Sequence, residues 1–242
     1  MGGVSYFILT FLACCLLGIT KVECIVGGHR ADSSSAHFMV SVQNPTHICG
    51  GALVGTSSVL TTASCVSGRT NIKVLVGSHR LLTNRERVNA SPVLHSSYSS
   101  TTGANNLAIL KLEKSVTSSL VAVIALNDAA ITTGKTTAFY GWGALQYGST
   151  RSNELQTLYQ RTLTNADCAK LMGNSGTLTT NQICARIQPS QAACSGDEGG
   201  PLVDVATGKL VGIYVYGVQC TGNKPDVFMN VLPYTSWINT NK

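Results

Sequence analysis

The chain is poor in charge and has few long apolar runs. Only 12% of its 242 residues are Asp, Glu, Lys or Arg while 44% are hydrophobic, which suits one compact globular unit able to bury a full core without metal or oligomer. There is no low-complexity tract, no repeat at solenoid spacing and no linker long enough to divide the chain into independent modules. Nine cysteines are present, yet no pair stands in the C-x-x-C spacing of a zinc site or redox motif. No metal and no cofactor are expected. The basic residues are not interleaved with aromatics and follow no nucleic-acid motif, so nucleic acid is not an expected partner. Beyond Ile19 no apolar run is long enough to span a bilayer.

The first apolar run has a different meaning. Met1 to Thr20 carries no acidic or basic side chain, and Tyr6 to Ile19, "YFILTFLACCLLGI", is apolar over 14 residues. That is short for a membrane span and fits a secretory signal, although the usual basic n-region is missing. A signal peptide over 1–24 is expected, or over 1–20 followed by a very short pro-segment, with the remainder exported and extracellular. Cys14 and Cys15 leave with the signal, and Cys24 is odd at the leading edge. Cys49, Cys65, Cys168, Cys184, Cys194 and Cys220 remain, with structural disulfides as the expectation in an oxidising compartment.

With 24 glycines, the body alternates short apolar segments with Gly, Ser, Asn and Thr turns, the pattern of an all-β protein. "FMVSVQ", "NIKVLVG", "LAILKL", "TTAFYGW" and "KLVGIYVYG" read as strands, rich in β-branched and aromatic residues. Thr164 or Asn165 can cap a short helix through "ADCAKLM", and Pro233 can begin a terminal one through "YTSWINT". The formal charge of +6 is concentrated in part in Arg69, Lys73, Arg80, Arg85 and Arg87, opposed locally by Glu86 alone. That stretch reads either as a solvated loop surface or as a site for a sulfated glycan, an anionic surface or an acidic partner. Asn89 in "NAS" is a formal glycosylation site with Pro92 directly after its serine.

Seven short strings then occur in a telling order. "IVGG" at Ile25, "CGGALV", "VLTTASC", "NNLAILKL", "GWG" at Gly141, "GDEGGPL" and "PDVFMNV" resemble, in sequence, the motifs of the trypsin and chymotrypsin family. The resemblance runs from Ile25 to the end. It implies two packed six-stranded antiparallel β-barrels with a short C-terminal helix: barrel one about 25–130, barrel two about 131–232 and the helix about 233–241. It also implies the disulfides Cys49–Cys65, Cys168–Cys184 and Cys194–Cys220.

At the chemistry the sequence departs from the family pattern. The position of the family's histidine base holds Ser64, that of its orienting aspartate Asn106, and that of its nucleophile Glu198. A hydroxyl is no general base near neutral pH, and an amide cannot stabilise an imidazolium as a carboxylate does. His29, His37, His47, His79 and His95 are the only histidines, none adjoins Cys65, and all five read as ordinary surface or core residues. Gly196 and Glu198 carry the N–H groups that would form the family's oxyanion hole, and the Glu198 side chain either folds back onto those donors or points into solvent.

The specificity pocket is altered too. Ala192 stands where trypsin-like members carry an acid, Gly217 is retained, and Asp226 replaces a glycine. Asp226 either fills the pocket, pairs with Lys224 or receives an incoming cation. The family pattern pairs the Ile25 amine with Asp197. Together these readings give a secreted, catalytically inactive homologue, a monomer that acts by binding an extracellular protein such as a protease, a protease inhibitor or a cascade component. The alternatives are weak or rearranged hydrolysis, and a glycan or microbial-surface binder.

Overall fold

The structure is a computed structural model and describes residues 27–173, 178–179, 181–186, 191–218, 220 and 222–242. The signal segment and Ile25 lie outside the described residues.

Six strands close the first barrel: β2 (Met39–Gln43), β3 (His47–Gly55), β4 (Ser58–Thr61), β5 (Lys73–Val76), β6 (Arg87–Leu94) and β7 (Ala108–Leu112), in the order β2-β3-β4-β7-β6-β5. Every described pairing between them is antiparallel. β2 is buried along its whole length because both of its faces are covered. Val40 and Val42 fill the barrel with Leu53, Val59 and Leu110, while Met39 packs the other way against Trp142 and Leu155. Pro92 is tolerated inside β6 because β5 accompanies that strand only as far as Asn89, leaving one side without a ladder to break.

The second barrel consists of β8 (Thr136–Gly141), β9 (Gln156–Thr162), β10 (Gln182–Arg186), β11 (Pro201–Asp204), β12 (Leu210–Tyr216) and β13 (Asp226–Asn230). The sheet runs β9-β10-β13-β12-β11-β8 and closes through β8 with β9. Its interior is aromatic, with Phe139, Tyr214 and Phe228 in mutual ring contact at centroid separations of 5.4 to 5.8 Å. A short strand β1 (His29–Arg30) pairs with β9, so this piece of the chain docks on the second barrel although it precedes the first in sequence. A span of 25–130 drawn for the first barrel therefore includes a strand that belongs to the other.

Between the barrels, Leu60, Leu107 and Ile109 meet Ile213, Met229 and Ile238 in one cluster. Three short helices are present among the described residues: α1 (Ala63–Val66), α2 (Asn165–Met172) and the C-terminal α3 (Thr235–Asn241). Thr164 caps α2, its hydroxyl accepting the Asp167 N–H at 2.9 Å. Pro233 lies in a 3₁₀ turn, Leu232–Tyr234, immediately ahead of α3. The disulfides are Cys49–Cys65, Cys168–Cys184 and Cys194–Cys220, the pairs that the family pattern implies. Among the described residues no helix is long and apolar enough to cross a membrane, and no group of His, Cys, Asp and Glu could hold a metal ion.

Candidate functional site

Ser64 and Asn106 are 42 positions apart in sequence and bonded to each other in space. Ser64 sits in α1, directly after β4, and is exposed; Asn106 precedes β7, the neighbour of β4 in the barrel, and is buried. The Asn106 Oδ1 accepts the Ser64 N–H at 2.8 Å, and its Nδ2 donates to the Ser64 Oγ at 3.0 Å. The pair satisfies itself without a charge. Asn105 faces elsewhere, donating to the Ser97 carbonyl and accepting from the Tyr234 hydroxyl, so Asn106 is the residue that meets Ser64.

The loop before β11 supplies Gly196, Asp197 and Glu198. Its carbonyl at Glu198 accepts the Gly50 N–H of β3 at 2.7 Å, which fastens the loop beside the Cys49–Cys65 disulfide. The turn is possible because Gly196 and Gly199 take positive φ, 95° and 79°. The Glu198 side chain folds back, and its Oε2 accepts the Gly196 N–H at 2.8 Å. A donor of the loop is thus occupied by the chain's own carboxylate.

His47 braces the same loop from β3. Its Nε2 lies 2.8 Å from the Gly196 carbonyl and its Nδ1 2.8 Å from the Ser41 Oγ. Burial pushes the imidazole down to about 4, so near neutral pH the ring is uncharged. A neutral ring that donates to the carbonyl through Nε2 must accept the serine proton at Nδ1. The sequence marked His47 as ordinary; its flanking "THIC" carries no signal of this contact. Arg151 covers the loop from outside, since a Cβ built on Gly196 would lie 2.6 Å from its Nε, and it donates to the His47 carbonyl at 2.8 Å.

Beneath the loop the site is acidic. Asp197 is fully buried, with Oδ1 accepting from Gly143 N–H at 2.7 Å and Oδ2 from Cys194 N–H at 2.9 Å. Burial outweighs those two donors and pushes its carboxyl up to about 8, with Glu198 and Asp226 adding repulsion. The Ile25 end of the expected ion pair lies outside the described residues.

Asp226, at the start of β13, points inward. Its Oδ2 accepts from the Gln160 side chain and, at 3.1 Å, from the Ala193 N–H, while its Oδ1 is buried and has no hydrogen-bond partner among the described residues. Burial pushes this carboxyl up to about 7. Lys224 donates to the Leu171 carbonyl at 2.7 Å. Of the alternatives for Asp226, pairing with Lys224 is therefore not the one adopted.

Tyr214, 2% exposed, packs with Ala193 in the same core cluster, and Ala192 is buried beside it in sequence. A Cβ on Gly217 would lie 2.7 Å from Asp226 Oδ1 and 2.9 Å from the Tyr214 hydroxyl oxygen. Neither Gln160 nor Tyr214 stood out in the sequence. In a strand, a glutamine or tyrosine at an inward position reads as part of the wall until the facing residue is known.

The basic residues from Arg69 to Arg87 do not form one face. Arg87 turns inward and staples its loop, donating to Gln43 Oε1 and to the carbonyls of Thr83, Arg85 and Leu81. Arg80 pairs with Glu154 at 2.7 Å. Lys73 is exposed on β5 and Arg69 on the connection before it. Asn89, in β6, donates to Glu113 Oε2 at 2.9 Å, just past the end of β7.

Two closed antiparallel barrels, joined by a seam that carries a glycine-rich loop against the strand-to-helix turn of Ser64, define a chymotrypsin-like architecture. The trypsin family profile matches residues 25–238, and the chain belongs to that family. Among curated proteins it is 34% identical over 224 residues to chicken (Gallus gallus) trypsin I-P1, covering 89% of this chain and 88% of the relative. It is 32% identical over 240 residues to human (Homo sapiens) serine protease 1, covering 96% and 95%. Pig (Sus scrofa) trypsin is 32% identical over 222 residues, covering 88% and 94%.

Proposed function

We propose that this member of the trypsin family is a secreted protein that binds and does not hydrolyse, acting as a regulator, cofactor or decoy in an extracellular proteolytic pathway. The observation that carries the reading is the Glu198 carboxylate on the Gly196 N–H, because a donor needed to stabilise an oxyanion is already engaged by an anion of the protein itself. The positions that the family resemblance assigns to base, orienting acid and nucleophile hold Ser64, Asn106 and Glu198, and no histidine takes part in the Ser64–Asn106 pair. A Cβ built on Gly217, in the wall that the family resemblance assigns to the substrate's principal side chain, would lie 2.7 Å from the Asp226 carboxylate and 2.9 Å from the Tyr214 hydroxyl oxygen, and this crowding supports a site that no longer orients a chain to be cut. Three disulfides fit an oxidising compartment.

The test is turnover and covalent labelling of the purified protein. Peptide and ester substrates are expected to survive, and a serine-directed fluorophosphonate is expected to leave the protein unlabelled. Glu198→Ser alone stays inert because the new hydroxyl has no base. Sustained hydrolysis that disappears in Glu198→Ala would overturn the reading.

A further inference from the structure

The connection between β5 and β6 carries two adjacent leucines, and they go opposite ways. Leu81 packs against the cluster of Trp142 and Leu155, whereas Leu82 is 82% exposed. A single exposed leucine is ordinary. This one is held out by a fixed backbone: the Leu81 N–H donates to the Asn153 carbonyl at 3.0 Å and the Leu82 N–H to Asn153 Oδ1 at 2.7 Å. Both leucines line a groove of about 300 Å³ with Pro45 and Thr46 of the β2–β3 turn and with Arg87 and Arg151. None of Ser64, Asn106, Glu198 and Asp226 lines it.

Behind the exposed wall, side chains donate to one another in a single direction. Arg87 Nε donates to Gln43 Oε1 at 3.0 Å, Gln43 Nε2 to Ser41 Oγ at 3.1 Å, the serine hydroxyl to His47 Nδ1 at 2.8 Å, and His47 Nε2 to the Gly196 carbonyl at 2.8 Å. Ser41, Gln43 and His47 are buried, so this floor is fixed before anything docks. Arg151 is exposed at the rim and is positioned by its donation to the His47 carbonyl at 2.8 Å. A guanidinium has five N–H groups, which leaves donors there for a guest.

Charge selects the guest. Arg87 and Arg151 line the groove without any acidic residue, and among the described residues no carboxylate pairs with either. The acids of the surrounding loops are engaged elsewhere, Glu86 by Lys114 and Glu154 by Arg30 and Arg80. An apolar wall beside unpaired cations complements a chain that carries both acidic and apolar side chains; a small anion would leave Leu82 and Pro45 wet. The formal charge of +6 argues against a second copy as the occupant, since like-charged surfaces repel.

We propose that the groove between Leu82, Pro45 and Arg151 docks an extended acidic segment of an extracellular protein partner, with an apolar side chain against Leu82 and Pro45 and a carboxylate on Arg151. The proposal deepens the reading of the protein as a binder and rests on it. Docking and turnover are read separately, so a groove that docks nothing leaves the absence of hydrolysis standing.

The experiment is fluorescence anisotropy with the whole protein at fixed salt and fluorescein-labelled Glu-Leu-Asp-Leu-Glu, a Ser-for-Leu analogue of equal charge, and a Lys-for-acid analogue that keeps the leucines. The first peptide is expected to bind, and each analogue about tenfold more weakly. Arg151→Ala lowers its affinity about tenfold and Leu82→Ser about fivefold. Arg161→Ala and Val205→Ser are the controls, an exposed arginine likewise anchored on a carbonyl and an exposed valine, both outside the groove. Each changes affinity less than about twofold. All four side chains are exposed, and unchanged urea midpoints check that the folds survive. Equal losses in Arg151→Ala and Arg161→Ala would reduce the interaction to diffuse attraction, and equal losses in Leu82→Ser and Val205→Ser to unspecific adhesion; either overturns the proposal. So would equal binding of either analogue, no binding of the first peptide, or phosphatidylserine vesicles that displace it from the wild-type protein, which would assign the groove to a membrane.

Discussion

Where the first barrel meets the site, Ser64 and Asn106 are uncharged and bonded to each other. Where the second barrel meets it, Asp197, Glu198 and Asp226 bring three carboxylates close enough that all of them act on Tyr214. One half is electrically silent; the other gathers acid around a buried tyrosine. A polar side chain at an exposed turn can be met by a neutral partner from a neighbouring strand, as Ser64 is by the buried Asn106. A charge placed inside a barrel cannot reach water, so it is held by whatever donors the backbone offers or it takes up a proton. The two halves should therefore respond differently to pH and to mutation.

The sharpest contrast concerns pH. Asp226 has a folded value raised to about 7 from an ordinary value of 3.8, so between these limits the folded protein holds a proton that the unfolded chain has released. The stability it contributes is complete below pH ~4 and is lost as pH rises through about 7, on the order of 4 kcal/mol for a fully buried carboxyl. Asp197 is shifted in the same direction and adds to the trend. Urea unfolding at pH 5 and pH 8 should find the protein more stable at pH 5. Asp226→Asn keeps an oxygen for Gln160 and Ala193 and should flatten much of the difference. An unchanged pH dependence in that variant would assign the effect to other groups.

The frame around the acids is expected to tolerate less than the acids themselves. A Cβ at Gly200 would lie 2.6 Å from the Tyr140 carbonyl oxygen and 2.9 Å from that of Asp197, both backbone atoms that cannot swing aside. Gly200→Ala should cost about 3 kcal/mol, the upper end of overpacking. Gly103→Ala is the control: its Cβ would meet nothing within 4 Å, leaving only the strain of a φ of 69°. A loss at Gly200 no larger than that at Gly103 would mean that the backbone around Gly200 yields and that crowding does not govern the second half.

Much of this was legible in the sequence because it is written in short contiguous strings. Cysteines, glycine turns and the neighbours of Ser64 and Glu198 fixed which positions meet, and the expected strands and disulfides formed as the family pattern implies. What escaped lies in contacts between distant strands. Gln160 meets Asp226 across 66 positions, and nothing local to either predicts the other. His47 reaches Gly196 across 149. The basic stretch is the opposite case: its residues are close in sequence, but the strand alternation and the loop between β5 and β6 send Arg87 inward to Gln43 and Arg80 to Glu154.

The smallest effect tests whether the two halves still act as one site. Asn106→Ala removes an acceptor from the Ser64 N–H and a donor from the Ser64 Oγ, but Ser64 is exposed and water can replace both, so the loss should be about 1 kcal/mol. Glu198→Ala frees the Gly196 N–H while preserving the backbone bond from Gly50 to the Glu198 carbonyl, and it also removes a negative charge that presses on Asp197. Its net effect should be similarly small, since the lost hydrogen bond and the relieved repulsion oppose one another. No described hydrogen bond joins Ser64 or Asn106 to Glu198. The double variant should therefore equal the sum of the singles within about 0.5 kcal/mol. Denaturation of the four proteins of that cycle decides it. A coupling larger than this would mean that the neutral half and the acidic half remain energetically linked, as parts of a catalytic unit are, and additivity would mean that they have become separate pieces of structure.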